Sequence, residues 1–149
     1  MFSELDESLT QAIEQAGFIT PTPVQQETLQ PALAGEDLFV SAETGSGKTV
    51  AYLLPALERL LGYEEPEIRA LILVPTRELA QQVFKQAKLL ARFTPIKLGH
   101  IGGGTDIHKQ NELIREPPQL LIATPGRLSE LLGREEIDLS QVEILILDE

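Results

Sequence analysis

Cysteine and tryptophan are absent from the 149 residues, methionine occurs once, and aromatic side chains make up only 5%. Without cysteine there is no disulfide framework and no thiolate metal or redox centre. No apolar stretch approaches the roughly 18–20 residues that span a bilayer. The opening residues, MFSELDESL, carry neither the basic head nor the apolar core of a secretion signal. These absences lead to the expectation of a cytoplasmic-type domain without a membrane partner. Basic residues are scarce too: 12 Lys and Arg face 23 Asp and Glu, for a net charge of −11. Such acidity excludes a protein that coats nucleic acid by bulk charge. The first 47 residues hold 8 acids and no Lys or Arg, while the other 102 sum to only −3. A nucleic-acid surface, where one exists, therefore falls in the later part and consists of a few placed contacts.

Apolar residues make up 42%, enough for one domain that buries about 68–70% of its unfolded surface. Short apolar runs alternate with segments of helical period. Strands are expected at Asp37–Ala42, Ala70–Val74, Ile96–Ile101, Leu120–Thr124 and Glu143–Asp148. Helices are expected at Glu7–Ala16, Pro23–Leu29, Lys48–Leu61, Thr76–Phe93, Asp106–Arg115 and Gly126–Leu132, with a kink at Pro55. Several strands are apolar at consecutive positions, the pattern of strands covered on both faces. The fold class that follows is α/β: a doubly wound, mainly parallel sheet with helices on both faces. A helical region, 1–36, precedes the core, 37–149, and the two form one lobe. Ligands in this architecture bind beyond the carboxyl ends of the strands.

The strongest chemical signal is Ala42-Glu43-Thr44-Gly45-Ser46-Gly47-Lys48-Thr49, which fits the phosphate-loop pattern with Ala42 in place of the first glycine. Gly45 and Gly47 let successive N–H groups turn toward phosphate oxygens, and the following helix adds its positive end. Lys48 then reaches the β- and γ-phosphates, and the Thr49 hydroxyl ligates Mg²⁺. The plainer alternative is a glycine-rich turn that only starts a helix. At average residue usage the relaxed pattern arises by chance in about one chain in a hundred of this length. Asp148 closes an apolar strand, where a carboxylate can share the Mg²⁺ with Thr49. On residues alone, a final Asp148-Glu149 pair is more often a solvated chain end.

Six ordered elements together resemble the N-terminal, RecA-like lobe of a DEAD-box ATP-dependent RNA helicase. They are the phosphate loop, the Q-motif-like Gly17–Gln25 segment, Pro75-Thr76-Arg77-Glu78-Leu79-Ala80, Gly103-Gly104, Thr124-Pro125-Gly126-Arg127 and the closing Asp148-Glu149. The resemblance implies that Gln25 selects adenine, with Phe18 packed beside the base. A side-chain amide can both donate to and accept from an adenine edge. By residues alone Gln25 reads as the solvated first turn of a helix that Pro23 starts. Phe2 resembles an upstream aromatic of the family. Glu149 would position the water that attacks the γ-phosphate.

The resemblance also implies that Pro75, Thr76, Arg77, Gly103, Gly104, Thr124, Pro125, Gly126 and Arg127 hold an RNA backbone, without reading its sequence. On residues alone the stronger reading is that Thr76 and Pro125 start helices while the two arginines make surface ion pairs. His100 and His108 read as structural or solvated, and Lys85, Lys88 and Arg92 as one solvated face. The family pattern continues past Glu149 with a second helicase lobe, absent here, that carries arginine fingers worth roughly 10³–10⁵ in rate. The expectation is a chain of modest stability that binds adenine nucleotide weakly without useful turnover. A non-catalytic nucleotide- or RNA-binding module, or a lobe of another phosphate-loop ATPase acting on DNA, remain the alternatives.

Overall fold

The computed structural model describes residues 2–18, 20–102 and 106–149. They form two compact units: residues up to 62 with 86–95, and residues 63–85 with 96–149.

The first unit is helical. After a single 3-10 turn at Phe2–Glu4 come α1 (Glu7–Gln15), α2 (Pro23–Leu33) and α3 (Lys48–Leu60). α1 and α3 bury the stripes their spacing predicts: Leu9, Ala12 and Ile13 on α1, and Val50, Leu53, Leu54, Leu57 and Leu60 on α3. The Glu58 carboxylate on α3 accepts from the Asp6 N–H, at the N-cap of α1, at 3.0 Å. Both α2 and α3 run through a proline, Pro31 and Pro55. A proline removes one donor, and packing of α2 along α3 outweighs that loss. For this reason α2 continues to Leu33 rather than ending at Leu29.

The strand expected at Asp37–Ala42 is not formed. Leu38 and Val40 are exposed, and Phe39 is wholly so. A strand needs a neighbouring ladder as well as suitable residues, and none of the described strands pairs with this segment. The phosphate-loop sequence therefore follows a segment without regular secondary structure rather than a strand.

The second unit carries the sheet. β1 (Ala70–Leu73), β2 (Leu98–Ile101), β3 (Leu120–Ala123) and β4 (Ile144–Leu147) are all parallel and lie in the order β2-β3-β1-β4. Between them run α4 (Arg77–Leu90), whose last residues belong to the first unit, α5 (Ile107–Arg115) and α6 (Pro125–Gly133). Leu71, Ile101, Leu121 and Ala123 form a core with Leu128 and Leu131 of α6, against which Leu113 and Ile114 of α5 pack. Ala70, Ile72, Leu120 and Ile122, on the opposite face, are equally buried, as consecutive apolar positions require. β4 departs from that pattern, because Leu145 and Leu147 remain 59% and 69% exposed. Among the described strands it pairs only with β1, which makes it an edge strand. Its exposed residues alternate with the half-buried Ile144 and Ile146, so one of its faces is left uncovered. At the opposite ends of the strands, Arg69 lies over the Tyr63 ring and pairs with Glu67 and Glu143.

Gly99 on β2 is where this packing is least forgiving, since a Cβ there would stand 2.8 Å from Leu113 Cδ1 and 3.0 Å from Pro118 Cγ. Gly99→Ala is expected to cost about 1–3 kcal/mol by overpacking. Urea unfolding at equal m-value measures it, and an unchanged midpoint would show that the α5 contact yields freely.

Candidate functional site

In the first unit, the Q-motif-like segment and the phosphate loop are joined by one side chain. α1 ends in a Schellman motif: the Gly17 N–H donates to the Glu14 carbonyl and the Phe18 N–H to that of Ile13, with Gly17 at φ +82°. This turn sets where Phe18, half-buried, leaves the helix. Thr22 and Pro23 then start α2. Gln25, in its first turn, is only 5% exposed, so it is not the solvated residue that its helical position alone suggested. Its Oε1 accepts from the Thr22 N–H at 3.0 Å, and its Nε2 donates to the Gly47 carbonyl at 3.2 Å. One partner can only donate and the other can only accept, which fixes the orientation of the amide. An amide has two donor hydrogens and two acceptor lone pairs. These bonds use one of each and leave a donor and an acceptor for a ligand.

Gly47 has no substitute at this point. It lies at φ +90°, and a Cβ would meet Gln25 Nε2 at 2.6 Å and Thr22 Oγ1 at 2.8 Å. As the N-cap of α3 it offers no side chain to the first-turn N–H groups, which a bound anion can then take. The loop Ala42–Gly47 leads straight into Lys48 and Thr49, both half-buried at the start of α3. Within it the Ser46 N–H closes a turn onto the Glu43 carbonyl at 3.1 Å, and Thr44 and Gly45 stand exposed. The Ser46 hydroxyl is buried without a hydrogen-bond partner. An uncapped helix start, a lysine and an unsatisfied hydroxyl form a donor set suited to phosphate oxygens.

In the second unit, the register sets the site. Leu73 pairs with Ala123 on one side and with Leu147 on the other. The Val74 N–H donates to the Ala123 carbonyl and the Asp148 N–H to that of Leu73. Pro75-Thr76-Arg77, Thr124-Pro125-Gly126-Arg127 and Asp148-Glu149 therefore leave the sheet at one level, at the carboxyl ends of three adjacent strands. Thr76 Oγ1 caps α4 by accepting from the Leu79 N–H at 3.1 Å. Thr124 is the N-cap of α6, and Pro125 occupies its first turn. Both helix-starting roles hold. Gly103 and Gly104 lie outside the described residues.

The corners after β1 and β3 enclose a cleft of about 610 Å³. Pro75, Arg77 and Glu78 line one side, and Thr124, Pro125, Gly126, Arg127 and Glu130 the other. Both arginines have acidic partners: Arg77 pairs with Glu78 at 3.6 Å and Arg127 with Glu130 at 2.6 Å. The surface-pair reading is thus correct for their partners, while their placement in one cleft is what the ion pairs alone do not account for. Sequence reasoning missed Gln110. This α5 residue is 1% exposed, and its Oε1 accepts from both Nε and Nη2 of Arg127. Its signal was a polar residue on the same helical stripe as Leu113 and Ile114.

Elsewhere, His100 lies against the Phe84 ring, with centroids 4.4 Å apart, which agrees with a structural role. Glu116, hydrogen-bonded to Lys97, and Asp138, which accepts from the Ser140 N–H, are held below the usual carboxylate range. Neither lies in the regions described above. Among the described residues no His, Cys, Asp and Glu group forms a ready-made metal cage, and no helix is long and apolar enough to cross a membrane.

Known proteins share this arrangement. The chain is 46% identical over 149 residues to the ATP-dependent RNA helicase SrmB of Escherichia coli, covering 98% of this chain and 34% of that protein. It is 48% identical over 148 residues to the probable ATP-dependent RNA helicase ddx27 of Dictyostelium discoideum, covering 97% and 19%. The crystal structure of the RNA-helicase Prp28 from Chaetomium thermophilum, bound to ADP, superposes with a TM-score of 0.92 at 36% identity over 99% of this chain and 37% of that one. The chain therefore spans about a third or less of the length of these relatives. Residues 22–149 match the DEAD/DEAH box helicase family, and on that match, with a RecA-like neighbour across nearly its whole length, the chain belongs to the DEAD/DEAH box helicase family.

Proposed function

We propose that this chain is the ATP-binding lobe of an ATP-dependent RNA helicase, whose full-length form couples RNA-stimulated ATP hydrolysis to local unwinding. The observation that carries the reading is the Gln25 amide, which grips the phosphate loop at Gly47 and retains one donor and one acceptor. A residue so placed joins base selection to phosphate binding. Adenine offers an amine and a ring nitrogen to such an amide, whereas guanine offers an oxygen where the amine would be.

The remaining roles follow from chemistry. Phe18 packs beside the base. Ala42, Glu43, Thr44, Gly45, Ser46 and Gly47 wrap the phosphates, and Lys48 neutralises the outer two. Thr49 and Asp148 would hold Mg²⁺, which supplies charge neutralisation across the phosphates. Glu149 orients the attacking water. Pro75, Thr76, Arg77, Thr124, Pro125, Gly126 and Arg127, together with Gly103 and Gly104, grip a ribose-phosphate backbone. A second lobe completes the catalytic site in the full-length protein.

Fluorescent ADP titration tests the first half. Lys48→Ala is expected to weaken binding about tenfold or more with the far-ultraviolet spectrum unchanged, and equal affinity would remove the phosphate-loop assignment. For the second half, Arg77→Ala with Arg127→Ala is expected to reduce oligouridylate affinity. The slope of log K against log salt should become shallower by about 0.7 for each phosphate that is no longer neutralised. Affinity and slope both unchanged would remove RNA from the cleft.

A further inference from the structure

We infer that Gln110 is a positioning residue for nucleic-acid contact: buried on α5, it holds the Arg127 guanidinium so that one edge is tied inward and the other is presented to the cleft. The inference rests on the RNA reading of that cleft. Arg127 has a planar guanidinium with donors at Nε, Nη1 and Nη2. Nε and Nη2 both point to Gln110 Oε1, the former at 2.9 Å. Nη1 is left on the opposite side, where it meets the exposed Glu130 carboxylate at 2.6 Å. The inner acceptor is neutral and sealed from water, since Gln110 is 1% exposed. The outer acceptor is charged and solvated, with its side chain 54% exposed.

This asymmetry separates two roles. Breaking the inner bonds would leave the buried Gln110 Oε1 without a donor, so that pair of bonds persists. An exposed ion pair contributes little net stability, so Nη1 can trade a carboxylate oxygen for a phosphate oxygen at small cost. Gln110 thus reduces a flexible side chain with four torsions to a single donor edge facing the cleft. The start of α5 is itself anchored, which fixes the backbone from which Gln110 projects. Asp106 caps the helix by accepting from the His108 N–H at 2.9 Å, and the Asp106 carbonyl accepts from the Gln110 N–H at 3.0 Å.

The test is a double-mutant cycle on this chain, read by oligouridylate binding at several salt concentrations. Gln110→Met keeps length and volume but removes the acceptor. It is expected to weaken binding by about fivefold to tenfold, to make the salt slope shallower as Arg127→Ala does, and to have no further effect when Arg127 is already alanine. If Arg127→Ala weakens binding but Gln110→Met does not, the positioning role is wrong and the RNA reading stands. A full Gln110→Met effect in the Arg127→Ala background also overturns the role, because Gln110 then acts through something else. If the unmodified chain does not bind, or Arg127→Ala binds as tightly, the RNA reading of Arg127 fails and the inference falls with it. Should Gln110→Met not fold, hydrogen exchange of the Arg127 Nε–H in the unmodified chain decides. Protection is expected, and exchange at the rate of a free arginine would overturn the role.

Discussion

The in-register parallel pairing of β3, β1 and β4 is the constraint on which the second unit depends. Parallel strands cannot be joined by a tight turn, so each must be followed by a crossover that begins at the same edge. With Ala123, Leu73 and Leu147 level across the sheet, three chain segments emerge side by side, and the first residues of each become neighbours although they are far apart in sequence. Behind them β1 and β3 are apolar and buried on both faces, with Leu73 alone half-buried. A shared edge of polar segments and a dry core beneath it are thus two consequences of one hydrogen-bond register.

The first unit reaches a comparable end by a different device. No strand holds the phosphate loop there; a buried glutamine does. Gln25 satisfies the first turn of its own helix through the Thr22 N–H and commits its other end to Gly47. That approach leaves no room for a Cβ at position 47, where the backbone also takes a left-handed φ, so the glutamine's grip depends on the glycine. Glycine at this position gives the loop its turn and at the same time leaves the start of α3 without a side-chain cap. The loop is held in shape by a neighbour, yet the first N–H groups of α3 are left without a side-chain cap.

Much of this was legible in the sequence, and the failures share a cause. Helical stripes such as Val50, Leu53, Leu54 and Leu57 could be read directly because burial on one face follows spacing alone. Four of five strands could be read from apolar runs. Asp37–Ala42 could not, since its residues suit a strand but its pairing partner is a property of the fold and not of the segment. Leu145 and Leu147 misled for a related reason: an apolar run reports which residues favour a sheet and not whether anything covers each of its faces. At the site, the glycine-lysine-threonine loop and the threonine-proline corners announce themselves through backbone demands. Gln25 was marked only by the family resemblance and Gln110 not at all, because a glutamine in a helix looks solvated. The structure shows both to be buried, one bonded to the Gly47 carbonyl and the other to the Arg127 guanidinium.

The acidic balance of the chain also takes on a physical meaning at the cleft. A protein of net charge −11 gains nothing from long-range attraction to a polyanion and must instead gain from contact geometry. Arg77 and Arg127 already face carboxylates, so under the RNA reading each phosphate would replace an anion rather than fill a void. Such an exchange is nearly neutral in Coulomb energy and leaves shape to decide. A flexible carboxylate on an exposed helix is a poor competitor for a phosphate held in place by its own chain on both sides. Flexible polyanions with no regular spacing enjoy no such advantage. Under the RNA reading, two pre-paired arginines therefore favour a ribose-phosphate strand, whose phosphates are held by their own chain, over polyanions that offer charge alone.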